Sequence, residues 1–176
     1  MQMNKRFTQL VDQHRHRIYT FAYYHLGNRE EAEDVSQEVL IRLWKHWQSI
    51  HINGIPAWIT RVTRNACIDA LRKRSRYQAM VTTEEDCESK LRTAPGSGGQ
   101  QSVLDTIDFR DRLEKALANL DEPYRTIVIL REIQEMTYEE ISNVVEMPLN
   151  TVKVYLHRGR KTLRDQMRGI LKEKSA

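Results

Sequence analysis

The stretch Thr137–Leu163 constrains the fold of this chain more than any other, because it predicts two short helices joined by a tight turn. Thr137 is placed to cap the first helix, and Glu140, three positions later, is placed to complete a capping box. Pro148 ends that helix, since proline is poorly tolerated inside one. The second helix has an apolar face with Val152, Leu156, Gly159 and Leu163 and an outward face with Asn150, Lys153, Val154, His157 and Lys161. This arrangement predicts a helix-turn-helix, whose second helix enters the DNA major groove.

The charge of the second helix agrees with a nucleic-acid partner. Between Asn150 and Arg168, six cations stand against a single anion, Asp165. Charge alone leaves another interpretation open, since basic helices with a merely solvated face are common. The capping box, the turn and the two-faced second helix together favour the DNA-binding interpretation.

Composition bounds the class of protein. The 176 residues are enough for one medium domain or two small ones, and the formal net charge is +4. No apolar run approaches the ~20 residues of a membrane span, and the first residues lack the apolar core of a secretion signal, so we expect a cytoplasmic protein. Glycine and proline are scarce, and most of the chain predicts helix.

Cysteine and histidine give no sign of a metal site or a cofactor. Cys67 falls in an amphipathic helix and Cys87 in an acidic segment, which favours one buried and one idle thiol. The cysteines form no zinc spacing with His14 and His16. His14 and His25 are expected to pack within the first helix. We therefore predict no metal, no cofactor and no catalytic site.

The N-terminal part begins with two helices. The first covers roughly Asn4–Leu26, and the second starts in an acidic run after Arg29 that suits the helix dipole. One stripe of the second helix is apolar and consists of Ala32, Val35, Val39, Leu43 and Trp47. The stripe beside it is polar and consists of Asp34, Gln37, Glu38, Arg42 and Lys45. The residues alone leave two interpretations of the polar stripe open, a solvated face and a protein-docking face.

A third helix, Trp58–Arg76, carries a second basic surface. Its charged residues are Asp69 and six cations, namely Arg61, Arg64, Arg72, Lys73, Arg74 and Arg76. Trp58 and Asn65 add stacking and base-edge hydrogen bonding to this charge. Core packing of Trp58 and simple solvation of the arginines are the alternatives.

A change in composition separates two domains. Between Val81 and Asp108, six acids oppose two cations, and a stretch rich in glycine, serine and glutamine lacks apolar periodicity. This predicts a flexible linker. We therefore predict an all-α protein made of two small helical domains joined by an acidic linker. The N-terminal domain takes residues 1–76, the linker 77–106, and the C-terminal helix-turn-helix domain, with four helices around one small core, 107–176.

Two blocks of sequence together resemble one family. Ala32–Trp47 followed by Pro56–Arg76 resembles the core-polymerase and −10 region of an extracytoplasmic-function (ECF) sigma factor, a small member of the sigma-70 family of bacterial transcription initiation factors. Leu113–Leu163 resembles the −35-reading domain of the same family. The resemblance implies a non-catalytic protein that binds core RNA polymerase and promoter DNA, supports melting and initiation, responds to a stress or signal, and is controlled by an anti-sigma factor.

The resemblance also implies roles for individual residues. Docking on the clamp helices of the largest polymerase subunit is expected from Asp34, Gln37, Glu38 and Arg42. Contact with the −10 element is expected from Trp58, Arg61, Arg64, Asn65, Asp69, Arg72 and Lys73, with an extruded base captured in the loop Ile50–Ala57. Contact with the −35 element is expected from Asn150, Thr151, Lys153, Val154, Tyr155, His157 and Arg158.

The chain departs from the family pattern in the −35 helix. Relatives often have Ser-Arg where this chain has Val154-Tyr155, and many have Glu-Gly where it has Leu149-Asn150. The loss of an arginine at Tyr155 removes a phosphate or guanine contact. The helix is still expected to bind the −35 element, but its preferred −35 sequence is expected to differ from that of relatives.

A stand-alone helix-turn-helix regulator, which binds duplex DNA without polymerase, is the main alternative. The polar stripe of the second helix and the second basic helix argue against it. A nucleic-acid enzyme is less consistent with the sequence, because no carboxylate pair, metal cluster or activated nucleophile shares a face. Two separate basic faces also argue against a pure protein adaptor.

Overall fold

The computed structural model describes residues 2–81 and 101–174, with side-chain surroundings for residues 5–81 and 108–169. Within these ranges the backbone forms helices and turns and no strand, which confirms the predicted all-α class. An N-terminal unit consists of α1 (Gln2–Leu26), α2 (Arg29–His46) and α3 (Ile55–Val81). A C-terminal unit consists of α4 (Gln101–Ala118), α5 (Tyr124–Val128), α6 (Tyr138–Val145) and α7 (Leu149–Lys174).

The turn between α1 and α2 is set by two residues. Gly27 has φ of 65°, a left-handed conformation that glycine adopts without a steric penalty. The Asn28 side chain then accepts a hydrogen bond from the Glu31 backbone amide at 3.0 Å and so caps α2. The apolar stripe of α2 is buried as predicted at Ala32, Val35, Val39 and Leu43, whereas Trp47 is half-buried.

The helix-turn-helix forms as predicted. The Thr137 hydroxyl accepts from the Glu140 amide at 3.2 Å, and the Glu140 carboxylate accepts from the Thr137 amide at 2.7 Å, which completes the capping box. Glu146 ends α6 with φ of 57°, a conformation that residues other than glycine seldom adopt. The predicted apolar face of α7 is buried at Val152, Leu156 and Gly159 and half-buried at Leu163. Its predicted outward face, Asn150, Lys153, Val154, His157 and Lys161, is exposed.

A π-helical turn, Ile129–Ile133, follows α5 directly. The Gln134 amide donates to the Ile129 carbonyl at 3.1 Å, which is the five-residue spacing of a π-helix. Gln134, directly after this turn, contacts Arg17 of α1.

The helix bounds near the linker differ from the predicted ones. α3 continues to Val81 instead of ending at Arg76, because no glycine or proline interrupts it there, and α4 begins at Gln101 instead of near Ile107. The predicted linker, residues 77–106, thus includes helical residues at both of its ends, 77–81 and 101–106. The centre of the predicted linker, residues 82–100 with Cys87, lies outside the described residues.

Gly159 marks a close approach between α7 and α5. A Cβ atom at this position would lie 2.7 Å from Val128 Cγ2 and 3.5 Å from Tyr124 Cβ, and Val128 is buried. We expect Gly159→Ala to lower the free energy of unfolding by about 1–3 kcal/mol, because overpacking outweighs the gain of ~1 kcal/mol in helix propensity. Gly169 on the same helix has no such neighbour within 4 Å. Urea denaturation should show Gly169→Ala at least as stable as the parent, and equal stability of both variants would contradict the tight packing at Gly159.

The two units lie against each other. α1 contacts α4 and the π-helical turn, and α3 contacts α6. His14 and His25 of α1 are both buried, as predicted, and His25 lies where the units meet. Cys67 of α3 is also buried, and burial, with the charges of Glu122 and Glu31, raises the pKa of its thiol far above the usual range.

Candidate docking and nucleic-acid surfaces

The polar stripe of α2 is free for a partner in this structure. Asp34, Gln37 and Glu38 are all exposed on the side of α2 away from its buried stripe. Arg42 is exposed as well and forms an ion pair with Glu38 one turn earlier. We call Asp34, Gln37, Glu38 and Arg42 the docking stripe. Since it covers no part of the protein's own core, it can bind another protein without unfolding α2.

Two apolar side chains that the sequence analysis did not include extend the docking stripe. Ile41 is 55% exposed and Trp44 is 54% exposed, although both are large and hydrophobic. Trp44 is held by an edge-on contact with Phe7, at 4.7 Å between ring centroids. The sequence spacing indicates this position, because Ile41 follows Gln37 and Glu38 by one helical turn and so lies on the same face of α2. A polar stripe that ends in exposed apolar residues is typical of a protein-docking surface.

The second basic surface lies on α3. Asn65, Asp69, Arg72 and Lys73 are exposed, and Trp58, Arg61 and Arg64 are half-buried. Asp69 and Arg72 form a loose ion pair at 3.7 Å, which leaves both in contact with solvent. Arg64 donates to the Asn65 side-chain oxygen at 3.4 Å. This surface therefore combines cations with an exposed amide, the groups that contact phosphates and base edges.

Two of the predicted −10 residues contact parts of the protein outside α3. Arg61 donates to the Asn143 carbonyl of α6 at 3.0 Å. Trp58 is half-buried and lies 6.2 Å from His46 between ring centroids. The structure thus places Trp58 at the edge of the N-terminal core and Arg61 in the contact between the units.

The predicted base-capture loop, Ile50–Ala57, is shorter than expected. A 3₁₀ turn spans Ile52–Gly54, and α3 already begins at Ile55. His51, Ile52 and Asn53 remain exposed at the tip, and Ile52 is 74% exposed. Capture of a base by this loop stays a prediction.

The third surface is the outward face of α7. Asn150, Lys153, Val154, His157 and Arg158 are exposed, and Thr151 is half-buried. Lys153 lies over the ring of Tyr138, with its ammonium 5.9 Å from the ring centroid, and Arg131 lies on the same ring at 4.9 Å. Tyr138 thus lies beside two cations, one of them Lys153 near the start of α7.

Tyr155 differs from its neighbours on α7. Its ring packs on Tyr124 at 5.2 Å between centroids, and the side chain is half-buried. Tyr155 therefore joins α7 to α5, and its ring is less available to DNA than the side chains of Lys153 and Val154. Its role in −35 binding stays a prediction.

The described part of the chain adds two further observations. No helix in it is both long and apolar enough to cross a membrane. Residues 2–81 and 101–174 also contain no group of three histidine, cysteine, aspartate or glutamate side chains able to hold a metal ion.

Comparison with known proteins identifies the family. The family model for Sigma-70 region 2 matches residues 10–77, and the model for Sigma-70, region 4 matches residues 110–163. The ECF RNA polymerase sigma factor SigW of Bacillus subtilis is 30% identical over 168 residues, which cover 93% of this chain and 90% of SigW. The chain belongs to the ECF RNA polymerase sigma factors.

Other relatives of this ECF sigma factor agree. SigE of Mycolicibacterium smegmatis is 33% identical over 159 residues, and the match covers 90% of this chain and 60% of SigE. The fold is similar to that of the sigma factor RpoE of Bartonella quintana, which was solved with the anti-sigma factor NepR. The TM-score is 0.73 and the sequence identity 23%, and the match covers 93% of this chain and 98% of RpoE. CnrH, solved with the cytosolic domain of CnrY, gives a TM-score of 0.68 and 17% identity over 94% of this chain and 90% of CnrH.

Membership of this family sets the class of activity. Sigma factors are transcription initiation factors rather than enzymes. The docking stripe and the α3 surface lie in the region 2 match, and α7 lies in the region 4 match up to residue 163.

Proposed function

We propose that this sigma factor binds bacterial core RNA polymerase, recognises the −35 and −10 elements of its promoters, and helps to melt the duplex for initiation. One observation carries the proposal: within the two matched regions, the docking stripe stays uncovered while the two basic surfaces lie on different helices. A duplex-only regulator needs the basic face of α7 but has no use for an exposed stripe on α2.

Each surface suits a different target. The docking stripe offers carboxylates, an amide and a neighbouring apolar edge, which together suit a basic and partly apolar protein surface. α3 offers cations beside Asn65, a combination that suits the phosphates and unstacked bases of a displaced strand. The N-terminal turns of α7 offer Asn150, Lys153 and Val154 to the major groove, where amides and amines bond to base edges and apolar groups contact the thymine methyl.

A gel shift separates this proposal from the stand-alone regulator. Promoter DNA is incubated with the protein, with core polymerase, and with both. The proposal expects a specific, heparin-resistant complex only when both are present, because promoter melting needs the polymerase. A specific complex with the protein alone, unchanged by core polymerase, would support the stand-alone regulator instead.

We further propose that an anti-sigma factor controls this protein. Support comes from RpoE of Bartonella quintana, which shares the fold and was solved with its anti-sigma factor NepR. The test uses a candidate anti-sigma protein, for example one encoded beside the gene for this chain in the source genome. Adding the candidate to transcription reactions should block initiation in proportion to its concentration, and transcription that persists at a molar excess would exclude that candidate.

Asn65 is expected to take part in melting. Its side chain is exposed on α3 beside Arg64, so its loss should leave the fold and the docking stripe unchanged. We expect Asn65→Ala to reduce the permanganate reactivity of thymines in the −10 region while holoenzyme forms normally. Ser75→Ala, also at an exposed polar position of α3, is the matched control. Unchanged thymine reactivity would remove Asn65 from the −10 surface.

Lys153 and Arg158 are expected to make different kinds of contact. Lys153 lies in the first turns of α7, where recognition helices contact base edges. Lys153→Ala should therefore change the free-energy discrimination between −35 bases by about 1–3 kcal/mol. Arg158 lies further along the same helix, where it approaches the phosphates. Arg158→Ala should therefore weaken the binding of all −35 sequences alike. It should also reduce the slope of log affinity against log salt concentration by about one unit.

Both effects are measured on a library of −35 variants at several salt concentrations, with each variant in the holoenzyme. An unchanged base preference in Lys153→Ala, together with an altered preference in Arg158→Ala, would mean that α7 lies in the groove in a different orientation.

A further inference from the structure

The basic face of α7 continues past the turns that are expected to contact the −35 bases. Lys161, Arg164 and Arg168 are all exposed. Successive residues of an α-helix are rotated by about 100°, which places these three side chains within roughly 60° of one another. They lie on the same side of the helix as Lys153 and His157. We call Lys161, Arg164 and Arg168 the basic extension, because it prolongs the outward face of the recognition turns.

The opposite face of α7 fixes the direction of this part of the helix. Leu163 and Met167 are half-buried, and α7 contacts α4 of the same unit. Both residues lie on the side of the helix that is buried earlier at Val152 and Leu156. The helix runs without interruption from Leu149 to Lys174. The basic extension therefore stands on a packed part of the same helix that carries Lys153.

The charge of the basic extension is left open to a partner. Arg160, on another side of α7, forms an ion pair with Glu132 at 2.6 Å. The basic extension forms no ion pair with the side chains that the structure describes, those of residues 5–81 and 108–169. Asp165 is the only anion in the sequence between Asn150 and Arg168. Three clustered cations of this kind suit an anionic surface.

The spacing along α7 matches the dimensions of duplex DNA. At a rise of about 1.5 Å per residue, the basic extension begins about 12 Å beyond Lys153 and ends about 23 Å beyond it. The major groove is about 12 Å wide. A helix that contacts base edges at Lys153 therefore reaches the border of the groove near Lys161. Arg164 and Arg168 follow where the helix passes over the backbone.

We propose that the basic extension binds the phosphate backbone that borders the −35 groove and so holds α7 in its register on the DNA. Phosphate contacts of this kind position a helix without reading sequence. The basic extension shares a face with Lys153, so the partner that it meets is the one that Lys153 meets. The proposal rests on the proposed function in placing Lys153 at the −35 bases.

The family match assigns no role to most of this surface. The region 4 match ends at residue 163, and Arg164 and Arg168 lie beyond it. Arginine binds phosphate with paired N–H donors, and lysine binds it as a compact charge. Both residue types release counterions from DNA when they bind, which makes the contact sensitive to salt. The salt dependence of promoter binding is therefore the property that reports on the basic extension.

Two triple variants of the full chain, each assembled into holoenzyme, test the proposal. The extension variant carries Lys161→Gln, Arg164→Gln and Arg168→Gln, and glutamine is a good helix former. The control variant replaces exposed cations of α1 that lie outside the docking stripe and the DNA-binding surfaces, namely Lys5→Gln, Arg6→Gln and Arg15→Gln. Both variants lose three positive charges, so they share any general electrostatic effect. Both should keep the helical circular dichroism of the parent.

Binding to promoters with different −35 sequences is measured at several salt concentrations. The extension variant should lower the slope of log affinity against log salt concentration by about 2–3 units, because each neutralised phosphate contributes about 0.9. Its affinity should fall about tenfold or more, by the same factor for every −35 sequence. The control variant should keep the slope of the parent. Asp165→Asn, which removes the anion from the same stretch, should instead raise the affinity for every sequence.

A second measurement locates the contact on the DNA. Uncharged methylphosphonate replaces the phosphates that border the −35 groove, one position at a time. At one or more positions it should weaken the parent holoenzyme several-fold and leave the extension variant nearly unchanged, because the cation that binds there is already lost.

An unchanged salt slope in the extension variant, or equal methylphosphonate effects in the parent and the variant, would overturn the proposal. A reduced affinity for core polymerase with an unchanged salt slope would show that the basic extension binds protein instead. Failure of the proposed function is distinguishable, since the parent would then show no preference among −35 sequences while the salt slope still responds to the extension variant.

Discussion

Combined replacement of Asp34 and Glu38 by lysine is expected to abolish the binding of this sigma factor to core RNA polymerase. Both carboxylates are exposed on one face of α2, and neither supports the core of the N-terminal unit. Reversing two charges at the centre of an interface sets like charges against each other, which costs several kcal/mol. A loss of about 3 kcal/mol or more lowers affinity by ~100-fold or more, which is measurable by titration of labelled protein with core polymerase.

The matched control carries the same change of charge elsewhere on α2. Glu30 and Glu33 are exposed acids near the start of the helix, outside the docking stripe. Glu30→Lys with Glu33→Lys should keep most of the affinity for core polymerase, apart from a general electrostatic effect that salt suppresses. Both double variants should keep the helical circular dichroism of the parent. Undiminished affinity of Asp34→Lys with Glu38→Lys would show that α2 does not dock on polymerase.

Leu156→Ala is expected to have the largest effect on stability. Leu156 is 1% exposed and belongs to the buried face of α7 that packs on the rest of the C-terminal unit. Removing a buried leucine side chain leaves a cavity and typically costs 2–5 kcal/mol of unfolding free energy. That is a large share of the stability of a unit this small. Binding to the −35 element should be lost at growth temperature, while the docking stripe in the other unit still binds core polymerase.

Val154→Ala is the matched control, since Val154 lies two positions away on the same helix and is 47% exposed. It should change the unfolding free energy by no more than about 0.5 kcal/mol. Thermal unfolding followed by circular dichroism compares the two variants. Similar unfolding temperatures for Leu156→Ala and Val154→Ala would contradict the placement of the buried face of α7.

Local rules made the helix-turn-helix predictable from the sequence. The capping box at Thr137 and Glu140 depends only on residue types three positions apart, and the structure contains both of its hydrogen bonds. The two faces of α7 follow from helical periodicity, and the exposure of Lys153 against the burial of Leu156 confirms that division. The same periodicity predicted the buried stripe of α2. Such features need no knowledge of the rest of the chain.

Features that depend on long-range packing could not be predicted. The contact of Arg61 with Asn143 joins residues far apart in the chain, and no local pattern indicates it. The packing of Tyr155 on Tyr124 likewise depends on how α7 crosses α5. The π-helical turn has no clear sequence signal, because its apolar residues also fit a regular helix. Ile41 belongs to neither of the two predicted stripes of α2, because its apolar side chain falls on the polar side of the helix.

Transcription in a purified system tests the central claim most directly. Core polymerase is supplied with fragmented genomic DNA from the source bacterium, with and without this protein, and the 5′ ends of the transcripts are mapped. The account predicts new start sites that appear only with the protein and share −35 and −10 sequences at a fixed spacing. It also predicts that Asp34→Lys with Glu38→Lys abolishes them. The same start sites with and without the protein, although it binds DNA on its own, would contradict the assignment as a sigma factor acting through polymerase.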